Sequence, residues 1–223
     1  MSMVKKLTKQ AVIYIEPTKP FSFKGTFFKP SHFPSRLVLY ENNKIYQAIE
    51  VGSRVFGIEI FVARSKTQKV GVAIYARKPI SESLKKAIKQ QVVIRYNLDG
   101  DIQGFIKECK SAGLLAGPIK RWCGMRPSIA YSLYGFLMVA TVLQNATVKR
   151  TVQMMDALLR KYGVKLVFAR KEVYAIWSPE DMEKVHEAEL RNLRIGYRAK
   201  NIKRISNSFA TNKVSEDILR NIK

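Results

Sequence analysis

Between Ala11 and Ala76 the chain alternates in short apolar and polar runs, and near Ser81 the period lengthens. Ala11–Glu16, Arg36–Tyr40, Lys44–Val51, Val55–Val62 and Val70–Ala76 are rich in β-branched and aromatic residues, the pattern of half-buried strands. Glu41-Asn42-Asn43-Lys44 and Val51-Gly52-Ser53-Arg54 read as hairpin turns between them. Strands joined by such short turns pair antiparallel, because a parallel pair needs a long crossover. The proline-rich stretch Pro17–Pro34 is expected to be an irregular connection or edge.

From Ser81 the spacing is helical. Ser81-Glu82-Ser83 supplies capping chemistry ahead of Leu84, Ala87, Ile88 and Val92. Asp99-Gly100-Asp101 reads as a turn, with Asp101 capping a helix over 102–112, and Gly113–Arg126 as an irregular connection. Ser128 is expected to cap an apolar helix that runs to Leu143. Val148, Val152, Met155, Leu159 and Tyr162 then fall on one helical face, with Lys149, Arg150, Gln153, Arg160 and Lys161 opposite. Gly163 is expected to end that helix in a left-handed conformation, and Ser178-Pro179 to start another. The fold class predicted is α+β: an N-terminal antiparallel β-sheet domain over residues 1–97, then an all-helical domain over 98–223.

Charge narrows the partner. With 40 Lys and Arg against 17 Asp and Glu, the net charge is +23, which favours a polyanion, since each neutralised phosphate releases counterions. The apolar run Ile129–Leu143 has 15 residues and includes Ser132, Gly135 and Thr141. A membrane span needs about 20, so a buried helix is expected and no membrane partner. Two cysteines, Cys109 and Cys123, with no signal-like amino terminus, suit a reducing compartment. The expected location is cytoplasmic and nucleoid-associated, or nuclear in a eukaryote. His32 and His186 are isolated, and no Cys/His spacing suits zinc or an iron–sulfur cluster, so neither metal nor other cofactor is expected.

Two segments carry candidate chemistry. In Leu190–Lys200, Gly196 can close one helix at positive φ and leave Tyr197 at the head of the next, with Arg198 and Lys200 making a basic turn. An aromatic wedge beside a cation suits unstacking a duplex; equally, Tyr197 could be buried at an ordinary helix corner beside solvated cations. Gln144 and Asn145 end the apolar helix, where they could cap it, start the next, or read base edges and phosphates. Lys149 and Arg150 suit a solvated helix face or a phosphate contact near a helix amino terminus.

Together these segments resemble the helix–hairpin–helix DNA glycosylases, in particular the 8-oxoguanine and 3-methyladenine branch. The resemblance covers residues 128–205 in recognisable sequence and the whole chain in layout. It implies that Gln144, Lys149, Tyr197 and Arg198 hold the orphaned base and fill the vacated stack. Gln144 stands where those enzymes have asparagine and Lys149 where they have arginine. It further implies a double-stranded DNA partner carrying a damaged base, base flipping, and excision of a damaged purine. No Gly-rich, aromatic- and Arg-containing segment lies in the first strands like the one that lines the family's oxidised-guanine pocket, so alkylated or deaminated bases stay open as substrates. The family's Leu-x-Gly-Val-Gly-type hairpin, with its lysine and aspartate, is not found in these 223 residues, so no catalytic residue is assigned. A second polypeptide that supplies the hairpin is one expectation. A non-catalytic nucleic-acid-binding module on the same scaffold and a basic protein-interaction module are the alternatives.

Overall fold

The computed structural model describes residues 4–28, 35–63 and 69–220; part of the expected connection 17–34, His32 and Lys223 lie outside the described residues. Strands β1 (Val4–Lys6) and β2 (Thr8–Ile15) precede a short helix, α1 (Phe23–Phe27). Then come β3 (Val38–Glu41), β4 (Lys44–Val51), β5 (Arg54–Val62) and β6 (Val70–Ala76). These form an antiparallel sheet in the order β2-β6-β5-β4-β3. Asn42 and Asn43 sit at φ 50° and 59°, and Gly52 at 58°, the positive values that tight hairpin turns require.

One face of this sheet buries Ile45, Ile49, Phe56, Ile58, Ile60 and Ile74 beneath α2 (Glu82–Tyr96), which contributes Ile88, Val92 and Tyr96. Ser81 caps α2, its hydroxyl accepting from Leu84 N at 3.3 Å, and left-handed Asn97 ends it. The other face packs Tyr46, Ala73 and Tyr75 against a hairpin from much later in the chain.

Helices follow: α3 (Gln103–Ser111), α4 (Ala116–Trp122), α5 (Leu133–Leu143) and α6 (Val148–Tyr162). Next come the strands β7 (Val164–Phe168) and β8 (Lys171–Ala175), then α7 (Pro179–Glu183), α8 (Glu187–Asn192), α9 (Arg198–Ala210) and α10 (Glu216–Arg220). The β7–β8 hairpin has no counterpart in the sequence expectation. It takes β1 as a parallel neighbour, so the first strand and a hairpin from the helical half share one small sheet, and Phe168 lies against Tyr75 with ring centroids 5.0 Å apart.

Several local expectations change. The apolar helix α5 starts at Leu133 and is capped by Ser132, not Ser128, because the preceding stretch is drawn onto α2 by a bond from Ile129 N to Arg95 O. Gly163 is not left-handed: its φ of −69° and ψ of 158° turn α6 straight into β7, where a Cβ would meet Leu159 O at 2.7 Å. The buried face of α6 is Thr151, Met154, Met155, Leu158 and Leu159, with Val148 exposed. The connection Gly113–Arg126 contains α4, none of whose residues is buried. At its end Arg126, fully buried, donates to the carbonyls of Gly100, Thr18 and Pro20. Asp101 is not the N-cap of α3: Ile102 holds that position with no side-chain cap bond, and the Asp101 carboxylate, one residue earlier, accepts from Gln103 N at 2.8 Å. No helix among the described residues is long and apolar enough to cross a membrane.

Candidate nucleic-acid interface

The α5–α6 turn and the α8–α9 turn, some fifty residues apart in sequence, meet at one corner of the helical half. Their frames are set locally. Thr147 caps α6, accepting from Arg150 N at 3.2 Å, so neither Gln144 nor Asn145 performs that task. Gln144 occupies the C-cap of α5, and Asn145 follows at φ 45°, a left-handed value that asparagine tolerates better than most residues. On the other side Gly196 sits at φ 64° with open space where a Cβ would be, which ends the turn and places Tyr197 at the N-cap of α9.

Packing deeper in the bundle fixes α9 against α5. The Tyr134 hydroxyl shares a hydrogen bond with Ser206 Oγ at 2.8 Å and accepts from Trp177 Nε1 at 3.0 Å. Burial, set against these two bonds, pushes the Tyr134 phenol well above its ordinary pKa. Met138, Val142, Leu190, Ile195, Ala199 and Ile202 fill the space around it. A fully partnered polar group inside such a cluster gives the two helices one relative position.

Burial of the two central residues is the reverse of the bland sequence alternative. Tyr197 is not a core residue: it is 48% exposed, while Arg198 is 8% exposed. The Tyr197 hydroxyl donates to the Gln144 carbonyl at 3.4 Å and accepts from Asn145 Nδ2 at 3.3 Å. The Arg198 guanidinium lies 4.8 Å from the Tyr197 ring centroid and donates to the carbonyls of Gln144 and Ile195. Arg150 reaches across from α6 to the carbonyl of Arg194. Both arginines named from the sequence therefore hold backbone carbonyls of the corner.

Gln144, Asn145, Lys149 and Lys200 are exposed. Lys200 stands three residues beyond Tyr197 in α9, on the same helical face. Arg194, which the sequence reading passed over, is also exposed at the head of the turn, with φ 58°. Its signal was available: an arginine two residues before the turn glycine, in a segment already rich in cations. The corner therefore offers an aromatic edge, two amide side chains and cations, and no carboxylate among the residues named. Such a surface can bind and unstack a polyanionic duplex.

No protein-family model and no curated protein matches the chain. Solved structures do. A 3-methyladenine DNA glycosylase from Archaeoglobus fulgidus superposes with a TM-score of 0.71 at 13% identity, over 87% of this chain and 66% of that one. An 8-oxoguanine glycosylase/lyase from Clostridium acetobutylicum, in its apo form, gives 0.65 at 16% identity over 100% of this chain and 72% of that one. The same bacterial protein in complex with double-stranded DNA containing cytosine opposite 8-oxoguanine gives 0.64 at 16% identity, covering 97% and 69%. The chain spans about two thirds of the length of these proteins. It has the fold of these 3-methyladenine and 8-oxoguanine DNA glycosylases.

Proposed function

We propose that the chain is the DNA-binding portion of a base-excision DNA glycosylase, which grips duplex DNA and flips a damaged purine for excision. The observation that carries this reading is Tyr197: a half-exposed aromatic ring on a buried, hydrogen-bonded frame, bordered by exposed Gln144, Asn145, Lys149 and Lys200. A flipped nucleotide leaves a gap in the stack, and a held ring fills it at small entropic cost because few of its rotamers remain to be frozen. The lysines and the net charge of +23 supply the sequence-independent grip on phosphate. Cleavage of the glycosidic bond is a property of the whole enzyme and is assigned to no residue of this corner.

The test is fluorescence anisotropy with two duplexes, one perfect and one with a single abasic position, at two salt concentrations. Wild-type protein is expected to prefer the abasic duplex, and Tyr197→Ala to lose roughly tenfold of that preference, the scale of one base–aromatic stack. Lys149→Ala should weaken both duplexes alike and lower the salt slope by about one. Lys161→Ala, a residue paired with Glu189 away from the corner, should weaken both slightly. Equal affinity of the wild type for the two duplexes, or binding that ignores salt, overturns the reading.

A further inference from the structure

We infer that Arg198 is a positioning residue for the Tyr197 wedge rather than a reader of the base opposite the gap. This rests on the proposed DNA-binding role of the corner and goes beyond it by separating which side chain meets the nucleic acid from which one aims it.

A guanidinium that reads a base edge or a phosphate without rearrangement presents its donors to solvent before the DNA arrives. Arg198 does not: the residue is 8% exposed, and its terminal nitrogens are directed at the carbonyls of Gln144 and Ile195. Those carbonyls end α5 and form the α8–α9 turn, so one side chain joins the two segments that build the corner. A cation there also meets the negative end of the α5 dipole. Its Nε is buried with no hydrogen-bond partner, so the group is held in a desolvated place where attraction to the face of an aromatic ring is strongest. The ring it meets is that of Tyr197, 4.8 Å from Cζ to centroid. The Gln144 carbonyl that Arg198 holds is also the acceptor for the Tyr197 hydroxyl. Removal of Arg198 therefore frees both contacts that fix the ring: the cation beneath its face and the acceptor at its edge.

A positioning residue and a base reader differ in what their loss does to recognition. A wedge fills the vacated stack whatever base lies opposite, so loss of its support weakens recognition equally in all cases. Loss of a base-reading guanidinium weakens recognition of the one base whose acceptors it met, because base edges carry distinct donor and acceptor patterns.

The experiment uses the full chain, perfect duplexes, and four abasic duplexes with A, C, G or T opposite the abasic position. The ratio of abasic to perfect affinity is measured well below each variant's unfolding midpoint. Arg198→Ala is expected to reduce the ratio by about fivefold or more for all four opposite bases, within the tenfold range of a single stack. Arg198→Lys should restore part of it, since an ammonium can still donate to the Gln144 carbonyl. In the Tyr197→Ala background Arg198→Ala should change the ratio no further, because groups that act as one unit are not additive. If Arg198→Ala fails to fold, Arg150→Ala serves instead: it removes the brace on the Arg194 carbonyl from a less buried position and should lower the ratio by a smaller, equally base-independent factor. A loss confined to one opposite base, or full additivity with Tyr197→Ala, overturns the inference and leaves the DNA-binding reading standing. A wild-type ratio of one for every opposite base overturns both.

Discussion

The two ends of α5 meet the same electrostatic problem and are solved by side chains of opposite sign. At the amino end Leu133 N donates to Glu216 at 2.8 Å, and Gly135 N donates to Ser132 Oγ at 3.2 Å. At the carboxyl end the Gln144 carbonyl takes the Arg198 guanidinium. An acid at the positive pole and a cation at the negative pole both favour the helix. The difference lies in what surrounds each cap. Glu216 stands over an open apolar groove lined by Ile129, Leu133, Phe136 and Leu219, and the serine beneath it already serves as a cap. Arg198 is buried, joins two turns and lies under an exposed ring. One end is capped for stability; the other is capped in a way that also aims a side chain at solvent.

Three substitutions sharpen or break that contrast. The largest effect is expected at the carboxyl end: Arg198→Met keeps most of the stem's packing but leaves the Gln144 carbonyl without its charged donor. Hydrogen bonds to charged groups are worth about 1.5–3 kcal/mol, so a loss of roughly 2–3 kcal/mol is expected in urea unfolding. A loss below about 0.5 kcal/mol would mean that the guanidinium is not held where the structure has it. At the amino end Ser132→Ala removes a side-chain cap, with about 1 kcal/mol expected by the same measurement and no change in the abasic-to-perfect affinity ratio. The smallest effect is expected for Glu216→Gln, which keeps an acceptor for Leu133 N and removes only the charge. A few tenths of a kcal/mol should be lost, and less at high salt. If either amino-terminal change altered the affinity ratio as strongly as Arg198→Ala, the two ends would be coupled and the contrast would fail.

How much was legible differs between the two halves for physical reasons. The five-stranded sheet was readable because period-two alternation and the turn residues Asn42, Asn43 and Gly52 agree with each other. The β7–β8 hairpin was not, although Val164–Phe168 is apolar except at Lys165 and carries two β-branched valines. Its turn is made by Ala169 and Arg170 at φ 47° and 59°, residues that carry no turn signal and adopt that conformation at a cost of roughly 1 kcal/mol each. Strand β1 has three residues and exists only through its partner. In α6, Val148 and Val152 fit the helical spacing, yet the helix is rotated so that Thr151, Met154 and Leu158 face inward, because neighbouring helices decide which edge of a broad apolar stripe is covered.

At the corner the sequence by itself determined the residue types and the hinge: a glycine that can adopt positive φ, an aromatic after it, cations around it, and a polar end to an apolar helix. Tertiary structure alone decided which of two adjacent residues faces out. Successive residues at a helix start point about 100° apart, enough for Tyr197 to face solvent while Arg198 faces the core. The carbonyl of Gln144, fifty-four residues earlier, took the arginine because a buried cation needs an acceptor, and the tyrosine was left at the surface.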